Sequence, residues 1–369
     1  MSVATQAPAT REELASALAS AAEAGTPVRF RGGGTKLGWP PAPPAESIEL
    51  TTAGLSRILE HNEGDLTAVL DAGVPLAEAQ RVFAEKGQRL ALDPPLGPDG
   101  GEPGATIGGV VASGDTGPLR GRYGGPRDLV VGMRVALSDG TLAKSGGKVI
   151  KNVAGYDIAK LFTGSFGTLG AIVEVSVRLH PIAPDNATAL GETGDADELA
   201  RGAAAIGGSP LEHHGLDIRW ERGRGRVLVR FAGAAPRPQA EAAERLLRDE
   251  GLATEVVDDD ESLWDEQRSA QRGPLVVKVS SLPTRLPGVI RAAEELGGLV
   301  VGRAALGLSW VRIEEPSATA VERLRRDFIA AVLDRPADLE VDPVAPMEPA
   351  TGALMQRVKE RFDPAGACV

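Results

Sequence analysis

The sequence predicts an α+β protein built as two domains. Three observations carry that expectation. At 369 residues the chain exceeds the size at which one hydrophobic core keeps growing, favouring two domains over one large α/β domain. Its first half sets short apolar strand patterns among dense glycine and proline. Beyond Pro181 to Asn186, strands and helices alternate at ordinary spacing, the pattern of a sheet with helices on one face.

Thr10 to Ala24 has the Ala-rich spacing of a helix, with Thr10 as N-cap, Glu13 three residues on and Gly25 as the stop. Val28 to Arg31 is a short strand that runs into Gly32-Gly33-Gly34, followed by the connector Pro40-Pro41-Ala42-Pro43-Pro44. Ser47 to Leu50 and Thr67 to Asp71 are strands, and Leu76 to Lys86 is a helix ended by Gly87. Asp93 to Gly125 is rich in glycine and proline. Leu129 to Leu137 is a strand leading into an Asp139-Gly140 hairpin turn. Ala171 to Leu179 carries Val173, Val175, Val177 and Leu179 at strand period.

In the second half, Asp217 to Trp220, Arg226 to Phe231, Thr254 to Val257, Leu275 to Ser281 and Gly307 to Ile313 read as strands. Pro238 to Glu250, Glu261 to Gln271, Leu286 to Leu296 and a long segment from Pro316 to Leu333 read as helices. Asp258-Asp259-Asp260-Glu261 suits a helix N-terminus through the dipole. Gly352 to Arg361 is a final helix that returns toward the first domain.

Composition narrows function. A formal charge of -11 and a pI near 5.1 supply no basic field to gather phosphates, so nucleic acid is not an expected partner. The polar N-terminus lacks a signal-peptide core and no apolar run spans a bilayer, so a cytoplasmic protein without its own membrane span is expected. The single Cys368 excludes an internal disulfide and a cysteine-ligated zinc or iron–sulfur cluster within the chain. The histidines are His61, His180, His213 and His214; the adjacent pair would face opposite sides of a strand, so no metal site is expected. Arg219, Arg222, Arg224 and Arg226 read as a solvated hairpin or partner surface before a carboxylate site.

Three glycine-dense segments hold the chemistry. After a strand, Gly32-Gly33-Gly34 lets successive N–H groups converge as a nest for an anion such as pyrophosphate, or makes a flexible turn; the residues leave both open. A Rossmann fingerprint is excluded because helix breakers fill Leu37 to Pro44. A P-loop is excluded because Val149 follows Gly147-Lys148. The small residues of Ala105 to Gly114 either admit a flat ring system or pack as a buried loop. Lys148 to Ile172 sets Gly155, Gly164, Gly167 and Gly170 among polar side chains, as for backbone lying against a large polar ligand.

Taken in order, RGGGTK, DPP, ATIGGVVASG, RYGGPRDLVVGMRVALSDGTL, KNVAGYDIAKLFTGSFGTLGAI and VRLHP resemble the FAD-binding domain of the vanillyl-alcohol oxidase / PCMH flavoprotein superfamily. Within it, KNVAGYD with GSFGTLG, in so short a chain, looks most like the FAD-binding subunit of bacterial glycolate oxidase. The resemblance is strong over residues 10 to 181 and weaker beyond. It implies a PCMH-type FAD-binding domain of two α/β subdomains over residues 1–183. A smaller α+β cap domain with an antiparallel sheet would follow over 184–345, and a C-terminal helix over 346–369.

The resemblance also implies roles. Gly32, Gly33, Gly34 and Thr35, flanked by Arg31 and Lys36, would wrap the pyrophosphate of a noncovalent FAD. Pro95, Thr106, Gly108, Gly109, Ser113 and Gly114 would line the pyrophosphate and flavin. Gly164, Gly167, Thr168, Gly170 and Ile172 would run beside the cofactor. Lys151, Asn152 and Tyr156 would lie toward the isoalloxazine and are the candidate catalytic residues, although a buried tyrosine with a bonded hydroxyl is also a packing element.

The implied activity is oxidation of glycolate or a related D-2-hydroxy acid to the 2-oxo acid, with hydride passing to flavin N5. Two departures qualify it. Thr35 and Lys36 replace the histidine that attaches FAD covalently in some relatives, and Val301 to Gly307 holds no active-site histidine. The implication is a complex in which a larger FAD-containing catalytic subunit oxidises the substrate and an iron–sulfur subunit passes electrons on. Inner-membrane association would come through that complex. A stand-alone D-2-hydroxy-acid dehydrogenase and a flavin-free scaffold are the alternatives. Relatives continue past Phe362-Asp363-Pro364-Ala365-Gly366 into an Asn-Pro-Gly segment against FAD, where this sequence has Cys368-Val369.

Overall fold

The computed structural model describes residues 4–97, 104–148 and 157–369. A small parallel sheet orders Thr5–Gln6, Ile48–Thr51 and Val28–Arg31, and Cys368 adds a parallel bridge to Val28. Helix Arg11–Glu23 packs on it through Leu14 and Leu18, which share a core with Val28 and Leu50. The helix starts where the sequence says it should. Thr10 Oγ1 accepts from Glu13 N at 3.1 Å, and the Glu13 carboxylate accepts from Ala9 N at 2.8 Å.

A five-stranded antiparallel sheet follows in the spatial order Ile58–Asn62, Thr67–Asp71, Ala171–Arg178, Val130–Ala136, Leu142–Gly146. The central strand Ala171–Arg178 is buried at all but its last residue, which explains its near-continuous apolar run. The strand Ile58–Asn62 is at the sheet edge and only half-buried, so no apolar alternation announced it.

Ala105 to Gly114 holds a helix, Ile107–Ser113, where the sequence suggested a loop. Thr106 Oγ1 caps it from Gly109 N at 3.2 Å, and Gly114 ends it at φ 64°. Its glycines hid it, because glycine lowers helix propensity. Packing demands one of them: a Cβ on Gly108 would lie 2.6 Å from Ala72 Cβ.

The largest sheet has eight strands, antiparallel throughout. Its order is Ala253–Val257, Asp185–Thr193, Arg224–Gly233, Gly215–Glu221, Leu299–Arg303, Leu308–Ile313, Leu275–Ser280, Ile329–Val332. Strand alternation divides its residues. Ile218, Trp220, Val277, Val300 and Val311 face the helices Ala196–Gly207, Pro236–Asp249, Leu286–Glu294 and Ala318–Asp327. Asp217, Val276, Lys278, Arg303 and Trp310 take the other face, which packs toward the first half of the chain through Trp39 and Phe166.

Two sequence expectations change here. Pro316 to Leu333 is not one long helix. Ala318–Asp327 is helical, Phe328 is extended, and Ile329–Val332 pairs with Leu275–Ser280 as the sheet edge. A short apolar run suits helix or strand equally, and here the unpaired sheet edge decides. Strand Asp185–Thr193 and helix Ala196–Gly207 also stand where no element was read. Helix Pro349–Phe362 packs back on the first half, with Phe362 edge-on to Phe162 at 5.6 Å. Among the described residues no helix is long and apolar enough to cross a membrane.

Candidate functional site

A cleft opens where the parallel strands Val28–Arg31 and Ile48–Thr51 end, the end of parallel strands at which ligands bind in open α/β sheets. Its walls come from Arg29 to Leu37, Ala105 to Ser113, Phe166, Gly167 and Gly170 to Ile172, with Pro40, Pro41, Pro43, Thr52 and Val369 at its margins. Among the described residues, no histidine, cysteine or tyrosine lines it.

The glycine loop has two distinct physical features. Gly32 and Gly33 lie flat on the neighbouring segment: a Cβ would stand 2.2 Å from Thr106 Oγ1 and 1.6 Å from Gly104 O, respectively. Gly34 then turns the chain with φ +77°. None of the backbone N–H groups from Gly32 to Leu37 donates to a protein acceptor among the described residues. A row of unpartnered N–H groups is the chemistry of an anion nest.

Charge agrees with that chemistry. Glu49, 3% exposed, accepts from Arg29 Nη2 at 3.0 Å and Arg31 Nη1 at 3.2 Å, and so steers two guanidinium groups at the cleft. Lys36 Nζ reaches Thr35 Oγ1 at 3.3 Å, Pro95 O at 3.4 Å and Asp115 Oδ2 at 3.3 Å. Burial holds the Lys36 ammonium below its usual range, with Asp115 opposing the shift. A cationic, donor-rich wall of this kind suits a pyrophosphate.

Of the residues named from sequence, Arg31 to Lys36, Thr106, Gly108, Gly109, Ser113, Gly167, Gly170 and Ile172 line the cleft. The polar groups of the helix are already occupied: Gly108 N donates to Ala72 O, Gly109 N to Thr106 Oγ1, and Ser113 Oγ to Gly109 O. They contribute surface rather than free donors. Pro95 faces a larger neighbouring chamber. Gly114 packs against Gly164, whose N–H donates to Val111 O at 3.0 Å. Thr168 Oγ1 donates to Ser165 O at 2.7 Å. Lys151, Asn152 and Tyr156 lie outside the described residues. Sequence reading missed Arg29, Phe166 and Val369, although Arg29 shares the strand face of Arg31, two residues on.

The seam between the eight-stranded sheet and the first half is a buried polar layer. Arg303, 1% exposed, donates to Gly117 O and Thr116 O, both at 3.3 Å, and stacks over Trp310 at 4.3 Å. Gln267 Nε2 donates to Asp217 Oδ2 at 3.1 Å. Asp217 Oδ1, Gln267 Oε1, Arg303 Nη1 and both amide atoms of Gln271 are buried without partners among the described residues. Lys278 stands over Trp310 at 5.7 Å, and burial lowers its pKa. Burial pushes the Asp93 carboxyl up to about 7, against Arg268 and Arg303.

His213 and His214 precede the strand Gly215–Glu221. Tyr123 Oη accepts from Arg89 Nη2 at 3.1 Å, which leaves its proton for His214 Nδ1 at 3.2 Å. Among the described residues no group of three His, Cys, Asp or Glu side chains is arranged to hold a metal ion.

Comparison with known proteins bears on this geometry. Residues 4–146 match the family described as FAD binding domain. The chain is 33% identical over 204 residues to an uncharacterised FAD-linked oxidoreductase of Mycobacterium tuberculosis, covering 55% of this chain and 43% of that one. It is 37% identical over 176 residues to glycolate oxidase subunit GlcD of Bacillus subtilis, covering 47% and 36%. It is 39% identical over 124 residues to glycolate oxidase subunit GlcE of Escherichia coli, covering 34% of each. The chain spans less than half the length of these relatives. A solved alkyldihydroxyacetonephosphate synthase shares the fold, with a TM-score of 0.71 at 14% identity over 99% of this chain and 75% of that one. The α+β fold is of the PCMH type, residues 4–146 are an FAD-binding domain, and FAD is its cofactor.

Proposed function

We propose that the glycine-walled cleft holds FAD noncovalently, and that the chain is the FAD-binding subunit of a glycolate-oxidase-type complex acting on 2-hydroxy acids. The backbone N–H groups from Gly32 to Leu37, which donate to no protein acceptor among the described residues, carry the first part. Thr35 and Lys36, standing where some relatives attach FAD through a histidine, support noncovalent attachment. Similarity to two glycolate oxidase subunits supports a place in such a complex; the proposed partners are a larger FAD-containing subunit and an iron–sulfur subunit.

Bound flavin supplies acceptance of two electrons from the substrate α-carbon. The chain's residues bind and orient: loop N–H groups and Arg29, Arg31 and Lys36 take the pyrophosphate charge, and the flat helix Ile107–Ser113 supports the ring system. The test is an absorption spectrum of the purified chain, followed by titration of the apoprotein with FAD and addition of glycolate. Yellow protein that glycolate does not bleach until the partner subunits are added is the expected result. A colourless chain that takes up no FAD overturns the cofactor site.

One observation favours a second reading, in which this chain oxidises the acid itself. The sheet face turned to the first half presents Lys278 and Arg303 over Trp310, with Asp217 against Arg303 and Gln267 against Asp217. Paired cations of this kind suit a small carboxylate. Bleaching of the isolated flavoprotein by glycolate or D-lactate, lost in Lys278→Met, decides for it.

A further inference from the structure

The glycine loop is anchored from the far end of the chain. Asp334 follows the edge strand Ile329–Val332 and accepts from Trp39 Nε1 at 2.8 Å, Arg272 Nε at 2.6 Å and Gly273 N at 3.3 Å. Arg272 Nη2 donates in turn to Thr35 O at 2.9 Å. Next to Asp334, Arg335 donates to the carbonyls of Gly38 at 2.5 Å, Trp39 at 3.4 Å and Pro40 at 2.9 Å. Trp39 itself is 6% exposed and packs with Val276, Val301 and Trp310 of the eight-stranded sheet.

All four backbone groups that the two arginines hold are carbonyl oxygens, and that choice has a consequence. A trans peptide points its C=O and N–H in opposite directions. Gly34, Thr35 and Leu37 form a common wall between the cleft and the larger chamber lined by Arg272 and Arg335. Fixing Thr35 O on the chamber side therefore turns Lys36 N–H to the cleft side. The prolines at 40 and 41 offer no N–H to pair those carbonyls in a sheet, so Arg335 meets an acceptor set that no local element would satisfy.

We propose that Arg272 and Asp334 form a carbonyl clamp by which the second half of the chain keeps the Lys36 N–H aimed at the cofactor pyrophosphate, with Arg335 anchoring the connector that follows the loop. These are positioning residues: they touch the loop from behind. The inference rests on the reading of the cleft as the FAD site. It makes pyrophosphate affinity a property of both halves of the chain, although the loop sequence alone looks self-sufficient.

The test measures dissociation constants of apoprotein for FAD and for ADP, which carries the pyrophosphate without flavin, together with the apoprotein melting temperature. Arg272→Met is expected to weaken both ligands by about tenfold, the effect of one lost charge-assisted contact. Arg335→Met, which frees only connector carbonyls, is expected to weaken both by a smaller factor, and Arg272→Lys to recover part of the loss. Arg219→Met, on the distant hairpin, serves as control. Wild-type affinities in both Met variants, or a lowered melting temperature with unchanged affinities, overturn the clamp. Failure of the wild-type protein to bind either ligand instead overturns the site on which it rests. Should Arg272→Met not fold, Arg272→Lys reads the same contact with the charge retained.

Discussion

Gly33 lies so close to the Gly104 carbonyl that a Cβ there would stand 1.6 Å from the oxygen. The contact is backbone to backbone, so no side-chain rotation relieves it. Gly33→Ala is expected to push the loop off the Gly104–Thr106 segment and lower FAD affinity by about tenfold or more. Flavin-fluorescence titration checks this; wild-type affinity would show that the loop relaxes without disturbing its N–H groups.

Glu49 is the buried partner of two arginines, Arg29 and Arg31. Glu49→Ala leaves both guanidinium groups without their carboxylate and is expected to cost about 1 kcal/mol of stability, because Arg29 and Arg31 are partly exposed and regain water. Urea unfolding measures the loss. Glu49→Gln, which keeps one acceptor, should recover part of it.

Asp93 introduces a pH dependence of unusual sign for a carboxylate. Burial, opposed by Arg268 and Arg303, raises it to about 7, so the folded state holds its proton longer than the unfolded chain. That contribution is complete below about pH 4 and is lost as pH rises through about 7, at a slope of about 1.4 kcal/mol per unit at most. Asp93→Asn should therefore gain stability relative to wild type between about pH 4 and pH 7, the window set by that shift. Parallel unfolding profiles would refute the shift.

His180 and His214 act the other way. Burial first, then neighbouring arginines, depresses both to about 4. The folded state binds fewer protons, so this stability is complete above about pH 6.5 and falls away toward pH 4. Melting temperature should drop over that interval, and His214→Gln, which keeps an acceptor for Tyr123, should flatten the drop.

Lys359 ties the C-terminal segment down, donating to Thr168 O at 2.7 Å and Cys368 O at 2.5 Å and pairing with Asp363. Cys368 is buried beneath this clasp, and burial together with Asp363 pushes its thiol up to about 12. Lys359→Met is expected to speed thiol labelling by an aromatic disulfide reagent at mildly alkaline pH about tenfold or more, through local opening. Equal labelling rates would place the restraint elsewhere.

Local chemistry made much of this protein legible in its sequence. Thr10 and Glu13 announced a helix and the Asp139-Gly140 pair a hairpin, because caps and turns act over a few residues. The helix at Ile107–Ser113 and the strand at Ile329–Val332 were not legible, since tertiary packing overrides weak propensity in the first and a sheet edge recruits the second. Only the tertiary structure brought Asp334 to Trp39, His214 to Tyr123 and Arg303 to Thr116, pairs with no sequence spacing to reveal them. The glycines of the loop belong to the sequence; the contact that fixes Thr35 O belongs to the fold, because it comes from Arg272 in the other half of the chain.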